Sequence, residues 1–248
     1  MRDGLGMTTG VFLLYRYFVI TFIMKICVPV QASTMTGAKK AMSEIIGKAD
    51  MAEIWLDHIK DLNVRDLLKN KPVPVICVCK KPDEKGLFKG SWSDVANILI
   101  EAIKNGAEYI DLPIQGLRTQ DSGLSKLAVK YKFKLILSYH NFTKTPSLKF
   151  MLKKAKDMKK LGADIVKISV MAKSLEDTVR IIFLAKELQD KKIPHILIAM
   201  GRVGVLSRVL TPTLGGEIMF APLSKGHGSA SGQLTVEELR SNWSVLKI

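Results

Sequence analysis

Eight short apolar runs, each followed by a stretch with helical periodicity, constrain what this chain can fold into more than any other feature. The runs lie at 25–30, 51–57, 73–79, 109–114, 133–139, 163–170, 194–200 and 217–221. They are rich in β-branched residues and largely lack polar alternation, as expected of strands covered on both faces. Helical stretches fall between them at about 36–48, 60–69, 93–105, 121–131, 146–161, 174–189 and 203–209, with a last one at 236–243. Ser91 or Ser93 can cap the third. Such alternation calls for an α/β fold with a parallel sheet and helical crossovers. Eight repeats close a (β/α)8 TIM barrel, and 248 residues is an ordinary length for one as a single domain. No G-x-G-x-x-G follows the first run, which argues against an open dinucleotide-binding sheet.

The barrel is expected to span residues 24–248, with 1–23 as an extension. Val11 to Met24 is apolar apart from Arg16 and Thr21, too short and interrupted for a spanning helix, although a hydrophobic anchor is the minority reading. A signal peptide cleaved after Val30-Gln31-Ala32 would remove the first strand, which argues against export. Met24 is the natural start of the domain on this reading. Cys27, Cys77 and Cys79 sit in apolar runs without a C-x-x-C, and are read as reduced core thiols of a cytoplasmic protein. The formal charge of +15 comes from lysines dispersed over helical faces, as in 152–160, so no nucleic-acid partner is expected. An anionic small substrate would profit from that field. The four histidines show no metal-ligand spacing, and no metal is expected.

The stretch Gly162-Ala163-Asp164-Ile165-Val166-Lys167-Ile168-Ser169-Val170 carries a lysine in a strand that reads as buried. Alternation puts Ile165, Lys167 and Ser169 on one face and Val166, Ile168 and Val170 on the other. Burial penalises an ammonium, so the expectation is a pKa lowered to roughly 5–8 and an amine able to attack a carbonyl. The alternative is a lysine paired with an internal carboxylate.

Barrel active sites form at the C-terminal ends of the strands. The polar residues expected there are Glu53, Trp55 and Asp57 on strand two, Lys80 and Glu84 after strand three, Asp111 on strand four and His140 at the end of strand five. Arg208 follows strand seven, and Ser229 and Gln233 lie in the Gly-rich segment after strand eight. Lys167 and His140 come from adjacent strands, and an amine beside an imidazole fits Schiff-base chemistry. The Gly-rich loop has a competing reading as a phosphate cradle.

Four segments also resemble one family, the type I 3-dehydroquinate dehydratases. Ser138-Tyr139-His140-Asn141-Phe142-Thr143-Lys144-Thr145-Pro146 is similar to its S-x-H-[DN]-F-x-x-T-P segment, and residues 163–171 to its lysine strand. Met200 to Arg208 resembles M-x-x-x-G-x-x-S-R, and Ser229-Ala230-Ser231-Gly232-Gln233 the S-A-x-G-Q closing loop. The resemblance implies a cofactor-free hydro-lyase of the shikimate pathway that makes 3-dehydroshikimate, often as a homodimer. It implies that Lys167 forms an imine with the C3 ketone, that His140 moves protons, and that Glu84 orients His140. Arg208 would hold the substrate carboxylate, with Glu53, Lys80, Ser229 and Gln233 as further substrate contacts. The family usually has arginines at Trp55 and Lys80, an acidic residue at Pro113 and often an aspartate at Asn141. Two other readings stand beside this one: an aldolase-like Schiff-base enzyme on the same barrel, and a non-catalytic or substrate-shifted barrel.

Overall fold

The computed structural model describes residues 24–118 and 130–246. The extension 1–23 and nearly all of the helix expected at 121–131 lie outside the described residues. Eight parallel strands form one sheet: β1 (Lys25–Val30), β2 (Met51–Trp55), β3 (Val75–Val78), β4 (Tyr109–Pro113), β5 (Lys134–Asn141), β6 (Ile165–Met171), β7 (His195–Met200) and β8 (Ile218–Phe220). The spatial order is β7-β6-β5-β4-β3-β2-β1-β8. A parallel bridge between His195 and Gly216 joins the two ends, and the Glu217 N–H donates to the His195 carbonyl at 2.9 Å. The sheet thus closes into the expected barrel.

Side-chain alternation divides the apolar residues into two cores. Cys27, Met51, Ile76, Tyr109, Ile136, Ile165, Ile196 and Ile218 point inward and fill the barrel. Outward-facing residues such as Ile54, Cys77, Ile110, Leu137, Val166 and Leu197 pack under the ring of helices. Both faces of each strand are therefore dry, which explains why the runs read as continuous apolar stretches. The thiols of Cys77 and Cys79 are pushed up to about 12 by burial, and all three cysteines are unpaired.

Helix starts follow local capping chemistry. Ser91 caps Trp92–Lys104 in a reciprocal box with Asp94, Ser147 caps Leu148–Lys160, and Ser174 caps Leu175–Asp190. Strand two ends earlier than the apolar run implies: Leu56–His58 turn into a short 3-10 helix. At the opposite rim, carboxylates that enter the even strands cap the odd ones. Asp50 accepts from the Ile26 N–H at 2.7 Å, Glu108 from Val75 at 2.9 Å and Asp164 from Leu135 at 2.7 Å. Asp164 also donates its own N–H to the Leu135 carbonyl, fixing the start of β6 against β5. Asp164→Ala should cost about 1–3 kcal/mol by stranding the Leu135 N–H, a loss readable as a lower urea midpoint with an unchanged slope.

Candidate active site

The C-terminal strand ends bring Lys167 into the barrel mouth from β6. Its ammonium is buried, 2.7 Å from Asp111 Oδ2 and 3.0 Å from Glu53 Oε1, and lies 4.2 Å from the centre of the Phe220 ring. The expectation of a depressed lysine pKa is overturned. Burial does pull it down, but the carboxylates of Asp111 and Glu53 outweigh that and hold it above the ordinary lysine value. The resting group is an ammonium in an internal ion pair. Burial pushes the Glu53 carboxyl up, and the Lys167 and Lys80 ammoniums bring it below its usual value.

His140, at the end of β5, faces the same cavity. Its Nδ1 is 2.5 Å from Glu84 Oε2, both side chains are buried, and Phe142 lies parallel to the imidazole at 5.7 Å between centroids. Burial would raise the Glu84 carboxyl, but His140, Lys80 and Gln115 together keep it low. Gln115 Nε2 donates to Glu84 Oε1 at 2.8 Å. Asn141 takes the turn role that an aspartate would have, its side-chain oxygen accepting from the N–H groups of Thr143 and Lys144 at 3.0 Å each.

Arg208, on the helix Val205–Leu210, is fully buried. Its Nη2 donates to the Ser231 carbonyl at 3.4 Å, while Nε and Nη1 have no partner among the described residues. Burial lowers its pKa to about 10, so it stays charged at pH 7. A buried guanidinium with free donors fits a carboxylate. Ser229 and Gln233 line the same pocket and lie within hydrogen-bond reach of each other, 3.4 Å apart. Gly232 allows the loop to sit down over β7: its φ is +76°, and a Cβ there would come within 2.3 Å of the Gly201 carbonyl oxygen.

Trp55 and Lys80 complete one wall as a coupled pair. The Trp55 indole N–H donates to Glu53 Oε2 at 2.9 Å, and the Lys80 ammonium lies 4.5 Å from the Trp55 ring centre. Asp57, expected beside Glu53 and Trp55, turns away instead. It accepts from the N–H groups of Lys80 and Leu87 at 3.0 and 2.9 Å and so shapes the loop after β3.

The structure thus gathers Lys167, His140, Glu84, Glu53, Lys80, Arg208, Ser229 and Gln233 around one pocket. The sequence placed Asp111 at a strand end without showing that it meets Lys167, and gave no signal for Gln115. Among the described residues no group of three or more His, Cys, Asp or Glu side chains could hold a metal ion, and no helix is long and apolar enough to cross a membrane. The pocket carries a latent amine, an imidazole against a carboxylate, and a buried guanidinium. Those groups can bind an anion, form an imine with a ketone and move protons beside it.

A family model described as Type I 3-dehydroquinase matches residues 26–248. The 3-dehydroquinate dehydratase of Desulfotalea psychrophila is 33% identical over 216 residues, covering 87% of this chain and 95% of that protein. That of Methanocaldococcus jannaschii is 29% identical over 223 residues, with 90% and 99% covered. A type I 3-dehydroquinate dehydratase structure from Clostridium difficile, with covalently modified comenic acid, superposes with a TM-score of 0.79 at 24% identity, covering 90% and 92%.

Asp111 offers a direct check on the buried ion pair. Burial pushes its carboxyl up, but the Lys167 ammonium outweighs this and lowers the pKa from 3.8 to about 2. A depressed carboxylate stabilises the fold above its unfolded pKa and loses that contribution as pH falls through the folded value. Denaturation midpoints should therefore drop between those two pH values, and Asp111→Asn should make that drop shallower.

Proposed function

The chain belongs to the type I 3-dehydroquinase family, and on that premise we propose that it dehydrates 3-dehydroquinate to 3-dehydroshikimate through an imine on Lys167. The observation that carries this reading is the placement of Lys167 and the His140–Glu84 pair around one pocket that also presents the free donors of Arg208. The reaction is that of a hydro-lyase.

The resting Lys167 ammonium must first give up a proton, and Glu53 and Asp111 are the acceptors already in contact with it. The amine then adds to the C3 ketone, and the carbinolamine loses water to give an iminium. His140 takes a proton from C2, and the electron pair moves toward the iminium nitrogen to form an enamine. Its return expels the C1 hydroxyl, which leaves as water with a proton from His140. Addition of one water to the remaining imine frees the product and restores the amine. The iminium is the electron sink, so the reading needs no cofactor.

Glu84 holds the imidazole, and its negative charge favours the imidazolium that forms during proton transfer. Arg208 takes the substrate carboxylate, while Ser229 and Gln233 close over it from the β8 loop. Glu53 and Lys80 line the same pocket and would meet ring hydroxyls.

We also propose a homodimer built on the helix Leu175–Asp190. Leu175, Val179 and Phe183 form an exposed apolar stripe, with Phe183 60% exposed, and Glu176 and Arg180 flank it. A second copy related by a two-fold axis offers the same stripe and can set its Glu176 against Arg180 of the first. Phe183→Glu should leave a monomer by light scattering; an unchanged mass would place the interface elsewhere or remove it.

Borohydride tests the chemistry. Reduction in the presence of 3-dehydroquinate should leave a stable secondary amine at Lys167, located by peptide mass spectrometry. Absence of that adduct, or full turnover by Lys167→Ala, would sink the reading. His140→Ala should lower kcat by about 10²–10⁴-fold, the usual contribution of a positioned acid–base group.

A further inference from the structure

Glu84 is the carboxylate in contact with the imidazole, and its two oxygens have different partners. Oε2 lies against His140 Nδ1, while Oε1 accepts from the Gln115 amide at 2.8 Å. Gln115 does not line the pocket, and among the described residues its hydrogen bond to Glu84 is what links it to the site. We propose that Gln115 is a positioning residue for the dehydration: its amide fixes which oxygen of Glu84 faces His140 and so fixes the imidazole in its working orientation. The proposal rests on the reading of His140 as the proton carrier.

The backbone that carries Gln115 is held in place independently. β4 ends at Pro113 and passes directly into the short helix Ile114–Arg118, which puts Gln115 at the barrel rim beside the segment that carries Glu84. Gly116 lets this helix press onto Trp92: a Cβ there would come within 2.6 Å of the indole and 3.1 Å of Leu112. Trp92 in turn starts the helix capped by Ser91, and the Lys81 ammonium lies 5.5 Å from its ring centre and contacts the Gly90 carbonyl. The segment from Lys81 to Trp92 and the helix at 114–118 are thus fitted against each other, which sets the Gln115–Glu84 distance. The donor is also neutral. It supports the carboxylate without cancelling its charge, so Glu84 remains a full anion toward His140.

Gln115→Leu and Gln115→Met remove the donor at nearly constant size, and two variants guard against one failing to fold. In either folded variant kcat should fall about tenfold, the worth of one hydrogen bond to a charged group, with KM within about twofold because no substrate contact is lost. The acid limb of kcat/KM should move to higher pH by about one pH unit, since loss of a donor to the anion raises the Glu84 pKa. Carbon-13 NMR of Glu84 in the ligand-free protein should show the same displacement. An unmoved Glu84 titration in both variants overturns the proposal, including when kcat falls, because a merely structural role would lower activity without it. Failure of the wild-type protein to form an imine with 3-dehydroquinate would instead count against the functional reading, and the Glu84 titration would still decide the role of Gln115.

Discussion

Lys167 carries its ammonium into the interior of the barrel because Asp111 and Glu53 meet it there from two other strands, and most of the site's organisation follows from that ion pair. An isolated charge in such a place would cost several kcal/mol in lost hydration. Two carboxylates at hydrogen-bonding distance offset the cost, and they also keep the amine protonated at rest. On the proposed mechanism the amine is therefore stored in a latent form, positioned but unreactive until a proton leaves. A pocket with no carboxylate near the lysine would give a freer amine but would have to find another source of stability for a buried nitrogen.

The same logic runs through the second carboxylate pair. Glu53 and Glu84 each hold a titratable partner with one oxygen and accept a neutral N–H with the other, from Trp55 and Gln115 respectively. Neutral donors fix a carboxylate's orientation while leaving its negative charge for the partner that matters. On the wall where the family usually has two arginines, the indole takes the hydrogen bond to Glu53 and its ring face takes the Lys80 ammonium. The two departures thus contact one another directly. Arg208 is fully buried, and among the described residues its Nε and Nη1 find no acceptor.

Much of the fold was legible because parallel strands covered on both faces leave a distinctive apolar run, and because Ser91 marks the start of the third helix; the caps at Ser147 and Ser174 emerged with the structure. Boundaries shifted where a local turn competed with the strand, as at Leu56–His58, where Asp57 leaves the sheet to bind the loop after β3. Of the site, the residues recognisable from motif segments, Lys167, His140, Arg208, Ser229 and Gln233, were placed around one pocket as expected. Asp111 and Gln115 gave no comparable signal, because nothing local to their segments says which side chain of a distant strand they meet.

By itself, the sequence determined the alternating pattern that closes the barrel, the face that Lys167 shares with Ile165 and Ser169, and the motif residues that carry the family resemblance. These are properties of periodicity and residue type, and they are local. Only the tertiary structure decided the protonation state of the lysine. Burial alone argues for a neutral amine, and the sign reverses once Asp111, 56 residues away along the chain, and Glu53, 114 residues away, stand within 3.0 Å. Coulomb energy depends on distance in space, and chain separation carries no information about it.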